Sequence, residues 1–324
     1  MAESIRTIDY HTAGEPFRIV VEGVPPLEGS SILEKRRWAL PNLDEVRRLL
    51  VNEPRGHADM YGCFVTEPED EGADVGVVFF HNEGYSTACG HGTIALVTWA
   101  LEDGRLGPGD RLPTPSGEVE VVVDAPSGRL RTWARVAATD VTGVRFRNVP
   151  SFVLERDVAV QGVVVDIAFG GAFYAVAPAV VPIDRGHLPE LIERGREIKD
   201  ALNRAGRVVH PLEPDLSGVY GVVWTDGDHN VTVFADGQVD RSPCGSGTSA
   251  RLALLDADGE LARGEALHHG SIVGTEFLGR VVGDAVVAGI PAVITEVEGS
   301  AHLTGRHEFL LEDGDPLGTG FLLR

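Results

Sequence analysis

Two stretches of this 324-residue chain are one segment written twice, CGHGTIALVTWALEDGRL from Cys89 and CGSGTSARLALLDADGEL from Cys244. They align without a gap at an offset of 155 residues (Cys89 to Cys244), matching Gly90/Gly245, Gly92/Gly247, Thr93/Thr248, Ala95/Ala250, Asp103/Asp258 and Gly104/Gly259. That pattern predicts a duplicated fold with one thiol per half. A pseudo-twofold pair of thiols suits chemistry that removes a proton from one face of a carbon and returns one to the other.

The repeat reaches beyond the cysteines. TIDYHTAGEPFRIVVEG and VVVDIAFGGAFYAVAPA open the halves as strand-like runs with Gly at matching places, where close backbone approach or a bulge is expected. LPNLDEVRRLL (40–50) and LPELIERGREIKDAL (188–202) carry apolar residues at helical spacing, with Pro41 and Pro189 placed for a first turn. MYGCFV and VYGVVW, then VGVVFF and VTVFAD, read as matching strands. From Thr93 to Leu101 almost every residue is apolar, which is how a helix enclosed on all sides reads, and Asp103-Gly104 and Asp258-Gly259 mark the stops. A helix wrapped by strands is the implied unit.

Gly104 to Glu118 reads as a turn-dense passage. The crossing between halves falls near Thr132 to Val144, and residues after about Gly299 are left over to return to the first half. The expected domains are therefore 1–132 plus 299–324, carrying Cys89, and 133–298, carrying Cys244. A chain of this length suits two domains better than one core.

A formal charge of −21 argues against nucleic acid or an anionic membrane surface as partner. With 43% hydrophobic and 24% charged residues, no apolar leader and no long apolar run, the chain reads as a soluble cytoplasmic protein, monomer or homodimer. Three cysteines make no disulfide framework, and Cys63, in MYGCFV, reads as a buried strand residue.

Both repeated cysteines stand immediately before a predicted helix start, where unpaired N–H groups carry a positive partial charge. Such a position lowers a thiol's pKa from about 8.5 toward neutrality. The amides of Gly90, His91 and Gly92, and of Gly245, Ser246 and Gly247, can close around a carboxylate; no Lys follows to make a phosphate loop. Together the halves give two thiols facing one small acid across an interdomain cleft. One thiolate abstracts the α-proton and the opposite thiol protonates the other face, with coupled titrations. Neither a metal nor an organic cofactor is required. Asp240 reads either as counter-ion for a substrate ammonium or as a loop or capping carboxylate. His91 reads either as a donor to the carboxylate or helper of Cys89, or as a residue facing solvent.

HTAGEP (11–16), GYSTACGHGTIA (84–95), NVPSF (148–152) and DRSPCGSGTSAR (240–251) resemble the signatures of the proline racemase family over nearly the whole chain. The resemblance implies a fold like diaminopimelate epimerase, in the mixed α/β (α+β) class: two pseudo-symmetric domains, each a curved, mostly antiparallel sheet around a central helix. It implies cofactor-independent inversion at Cα of proline or 4-hydroxyproline, with Cys89 and Cys244 as acid and base and His91 and Asp240 on the substrate. In the family's trans-3-hydroxy-L-proline dehydratase branch one thiol is usually replaced, commonly by Thr, whereas this sequence keeps both. PRGHADMYG (54–62) and NEGYSTACGHG nevertheless resemble that branch, and HTAGEP departs from the commoner HTGGEP. The lyase is therefore the alternative activity.

Three rivals remain in view. His81, Cys89 and His91 are zinc-ligand types without a recognised spacing. Cys89 and Cys244 in a disulfide would be an inactivated state. A non-catalytic protein that only binds a small acid would use the same helix starts.

Overall fold

The computed structural model describes residues 4–103, 106, 116–138 and 140–323, so most of the turn-dense passage expected over Gly104 to Glu118 lies outside it. Two compact units divide the chain, residues 1–144 with 300–324, and residues 145–299. The first is built from β1 (Ile5–Thr12), β2 (Glu15–Glu22), α1 (Ile32–Asn42), α2 (Asp44–Val51), β3 (Tyr61–Thr66), β4 (Val75–His81), β5 (Gly84–Tyr85), α3 (Gly90–Glu102), β6 (Ser116–Ala125) and β7 (Gly128–Ala137). After β8 (Asp140–Arg147), the second contains β9 (Ser151–Val160), β10 (Val163–Phe169), β11 (Phe173–Pro178), α4 (Leu188–Ala205), β12 (Val219–Asp226), β13 (His229–Phe234) and β14 (Gln238–Asp240). It continues through α5 (Gly245–Asp258), β15 (Leu267–Ser271), β16 (Glu276–Val287) and β17 (Ile290–Gly299), before β18 (Ala301–Phe309) rejoins the first unit.

Both units follow one strand path. In the first, the order is β18–β1–β2–β3–β4–β6–β7, antiparallel except at β2–β3 and β4–β6. In the second it is β9–β10–β11–β12–β13–β15–β16–β17, with the parallel pairs at the same two places, β11–β12 and β13–β15. A further pairing of β17 with β9 closes that ring. The place β9 holds in the second unit is filled in the first by β18, running antiparallel to β1 from Ile5↔Phe309 to Thr12↔Ala301. The leftover C-terminal segment therefore completes the first sheet. Because β7 pairs with β6 along its whole length, the first unit keeps the chain beyond residue 132 and the division falls after Val144.

Each wall surrounds one helix, as the unbroken apolar runs predict. Every residue of α3 from Gly90 to Leu101 is buried, against β1, β2, β3, β7 and β18. The α5 helix is buried from Gly245 to Leu254, against β9, β10, β11, β16 and β17. A helix with no polar face is stable in water only when strands cover it all round. Gly259 ends α5 at φ 70°, a left-handed cap that glycine adopts without a steric cost.

Amphipathic helices cover the outer faces. The α4 helix starts with Pro189 in its first turn, as expected, and buries Leu191, Ile198 and Leu202 against β12 and β13. In the first unit the single helix expected over residues 40–50 is two helices, and Pro41 lies in the last turn of α1 rather than the first turn of its successor. Pro41 has no N–H for the helix ladder and its ring crowds the carbonyl four residues back, so the helix stops there and α2 starts afresh. Val46, Leu49, Leu50 and Val51 of α2 join Ile32, Ala39, Phe64 and Phe80 in one core cluster. Among the described residues no helix is long and apolar enough to cross a membrane.

Candidate active site

Cys89 is the N-cap of α3. Its backbone is extended (φ −154°, ψ 98°) and its sulfur accepts a 3.3 Å hydrogen bond from the Gly92 N–H. The thiol does what a Ser or Asp cap does, satisfying an orphan amide of the first turn. Gly92 is required: a Cβ there would stand 2.6 Å from the Cys89 sulfur and run into the Phe17 ring. Thr93 Oγ1 donates to the Cys89 carbonyl at 2.8 Å, and Thr12 Oγ1 donates to the His91 carbonyl at 2.9 Å, tying the β1–β2 hairpin to the helix start. That hairpin turns at Ala13 (φ 51°) and Gly14 (φ 94°), two successive positive values as a tight two-residue turn demands.

His91 does not face solvent. Its ring is buried, edge-to-face with Phe17 (5.6 Å) and Tyr61 (5.0 Å). The Cys89 sulfur lies 3.5 Å from both ring nitrogens. An in-plane approach equidistant from both would press Cε1 inside contact distance, so the sulfur sits over the ring face rather than at the end of one N–H.

Cys244 heads α5 in a different backbone state, φ 63° and ψ 100°, a region L-residues occupy only under constraint, at a cost of about 1–3 kcal/mol. Both sides of the residue are fastened. Its N–H donates to Ser242 Oγ (3.1 Å), and Ser242 in turn donates N–H (2.8 Å) and O–H (2.7 Å) to Asp240 Oδ1. Its carbonyl accepts from Thr248 Oγ1 at 2.8 Å, and that hydroxyl lies 2.7 Å from His269 Nδ1. Because the Thr248 proton is spent on the carbonyl, His269 is the donor of the second bond, which assigns its proton to Nδ1. The Cys244 S–H points to the Tyr174 hydroxyl at 3.6 Å, and Tyr174 lies 2.6 Å from Ser246 Oγ.

Burial governs the titrations here. The Cys244 thiol is pushed up to about 12, first by burial and then by the Asp240 charge, with the Tyr174 hydrogen bond acting in the opposite sense. The lowered pKa expected at a helix start is thus reversed at this cysteine, since desolvation outweighs the helix terminus. Asp240 is held at about 6, raised by burial and partly offset by its two Ser242 bonds. An ionised Asp240 is costly by itself and would be relieved by a cation, as a buried counter-ion requires.

Gly90 and His91 occupy the first turn of α3, Gly245 and Ser246 that of α5, and Asp240 the end of β14. Asp240 caps no helix; it braces the loop that carries Cys244. Cys63 is buried on β3, as expected. None of the three cysteines is in a disulfide, and among the described residues no three His, Cys, Asp or Glu side chains gather to hold a metal ion. Sequence reasoning missed Tyr174, Ser242, Thr248 and His269. Only Thr248 carried a signal, as the repeat partner of Thr93.

The family model described as proline racemase matches residues 7–322. A trans-3-hydroxy-L-proline dehydratase of Burkholderia ambifaria is 46% identical, covering 100% of this chain and 99% of the relative. A 3-hydroxyproline 2-epimerase of Burkholderia multivorans is also 46% identical with the same coverage. Among solved structures, a hydroxyproline epimerase from Agrobacterium vitis with bound trans-4-hydroxy-L-proline superposes with a TM-score of 0.91 at 31% identity, over 100% of this chain and 97% of that one.

Proposed function

The chain belongs to the proline racemase family, and from that premise we propose that it inverts Cα of a hydroxyproline, 3-hydroxyproline first, using Cys89 and Cys244 as its two acid/base groups. One observation carries the reading: equivalent helices in two like-wound units each start on a buried thiol. In this reading one sulfur takes the α-proton as thiolate and the other, as thiol, gives a proton to the opposite face. First-turn amides, Gly90 to Gly92 and Gly245 to Gly247, hold the carboxylate and the enolate-like charge that grows on it as the Cα–H bond breaks. Asp240 pairs with the ring ammonium. The names of the 46% identical relatives, both for 3-hydroxyproline, support this choice of ring position.

A second reading, dehydration, has specific support in the name of one of those relatives. It shares the first step. After the α-proton leaves, the electron pair forms a Cα–C3 double bond and expels the C3 hydroxide, which takes a proton to become water and leaves a pyrroline carboxylate. The readings part at the fate of the carbanion, since a thiol poised on the opposite face favours inversion and a proton donor at the C3 hydroxyl favours loss of water.

The test is a panel of L-proline, trans-4-hydroxy-L-proline and trans-3-hydroxy-L-proline in deuterated water. Inversion yields the C2 epimer with solvent deuterium at Cα; dehydration yields a pyrroline from the 3-hydroxy substrate alone. Binding of all three with neither α-exchange nor a pyrroline from any would overturn both readings and leave a small-acid binder.

A further inference from the structure

Tyr174 on β11 is wholly buried, with its hydroxyl between two groups of the α5 helix start, Ser246 Oγ at 2.6 Å and the Cys244 sulfur at 3.6 Å. A phenol offers one donated proton and accepts on its oxygen, so it cannot donate to both neighbours at once. While Cys244 keeps its proton, the S–H donates to Tyr174 and the Tyr174 O–H donates to Ser246. A thiolate only accepts. We propose that Tyr174 is a positioning residue that tracks the protonation state of Cys244, accepting from the thiol while it donates to Ser246, and turning to donate to the thiolate, which leaves Ser246 without that donor. No proton changes owner among the three in this switch; the phenol and the serine keep theirs and only hydrogen-bond direction changes. The inference rests on the reading of Cys244 as an acid/base thiol.

The surroundings leave Tyr174 suited to that part. Its own ionisation is pushed well above the ordinary value by burial and then by the Cys244 charge, so it remains a phenol. Asp240 on β14 bears on the sulfur from another side and opposes the thiolate, while Thr232 on β13 favours it. Tyr220 on β12 meets the Tyr174 ring edge-to-face at 5.8 Å. His269 on β15 reaches Cys244 only through Thr248, Arg251 on α5 is bonded to the Gly227 carbonyl, and Arg156 on β9 is engaged with Asp258 at the far end of α5. Thr232 also reaches the sulfur and donates to Asn230 Oδ1 at 3.4 Å, and Asp240 also accepts from the thiol; Tyr174 joins the sulfur to Ser246 of the same helix start.

The measurement is the rate at which iodoacetamide alkylates Cys244 across pH 7 to 10, followed peptide by peptide in the intact enzyme and in Tyr174→Phe and Ser246→Ala. Loss of a hydrogen bond to a charged group raises a pKa by about one to two units. A more basic thiolate is also more nucleophilic, with a slope near 0.5, so Tyr174→Phe is expected to slow alkylation about threefold to tenfold at every pH. Ser246→Ala removes the acceptor that Tyr174 serves only in the thiol state, and should therefore speed alkylation, about twofold to threefold. Opposite signs from two neighbouring truncations are not what loosened packing gives. Equal rates in all three proteins, or acceleration in both variants, overturns the assignment. Should Tyr174→Phe fail to fold, Ser246→Ala decides it: a rate unchanged or slowed refutes the switch. Absence of α-exchange by the wild type refutes the proposed function instead, and is read in a separate assay.

Discussion

Replacing Asp240 with Asn should make the protein more stable and nearly useless. The carboxyl is raised from 3.8 to about 6 by burial. That difference of roughly two units is worth about 3 kcal/mol at 1.36 kcal/mol per unit, the order of the cost of keeping Asp240 ionised at neutral pH. The sign follows from which state holds the proton. The folded chain binds it more tightly than the unfolded chain, so this group's stabilising contribution is whole below about pH 3.8 and is lost as pH rises to about 6. Asparagine presents an oxygen to the same Ser242 N–H and O–H donors without the charge. Urea unfolding of the two proteins should therefore show near-equal stability at pH 4 and an advantage for Asp240→Asn that grows to about 1–3 kcal/mol by pH 7. Hydroxyproline binding should move the other way, weakening about a hundredfold or more once the ammonium loses its buried partner. In the wild type the same affinity should fall about tenfold per pH unit below pH 6, as Asp240 takes up its proton. A variant less stable than wild type at pH 7, or a difference that does not change with pH, would refute the assignment of that cost to Asp240.

Gly92→Ala should abolish turnover at a moderate stability cost of about 1–3 kcal/mol, because the new methyl is driven into the Cys89 sulfur 2.6 Å away; activity and denaturant midpoint measured together check it. Ala13→Gly should be neutral or stabilising by up to about 1 kcal/mol in the same unfolding assay, since φ 51° is a position glycine takes without strain. Thr248→Val leaves His269 Nδ1 without its acceptor in a fully buried place and frees the Cys244 carbonyl, so a loss of about 1–3 kcal/mol is expected, with turnover reduced further through the relaxed Cys244 backbone.

The parts of this architecture that are local in sequence were legible in it. The two buried helices declared themselves by apolar runs without a polar face, and their thiols by repetition at a fixed offset. Pro189 marked a helix start correctly, whereas Pro41 ended one, and spacing alone does not separate the two because a proline is tolerated in the first turn and stops a helix at its end. The environment of Cys244 was illegible for another reason. Tyr174 and His269 reach it from β11 and β15, strands some 70 and 25 residues away in sequence, and no periodicity links them to α5. The same holds for its titration, which a helix start alone would lower and which the enclosing strands raise. That Phe17 and Tyr61 enclose His91, so that it does not face solvent, is likewise a contact between distant strands and the helix start that spacing does not reveal.

The central claim is that each sulfur serves one face of the same carbon. Its most direct test is solvent exchange of the α-proton by Cys89→Ser and Cys244→Ser, each assayed with both C2 epimers of the hydroxyproline in deuterated water. The two-thiol account predicts that neither variant inverts Cα and that each, keeping one thiol, exchanges the α-proton of one epimer only, the opposite epimer for the opposite variant. Full epimerisation by either variant, or exchange of both epimers by a single remaining thiol, would contradict it.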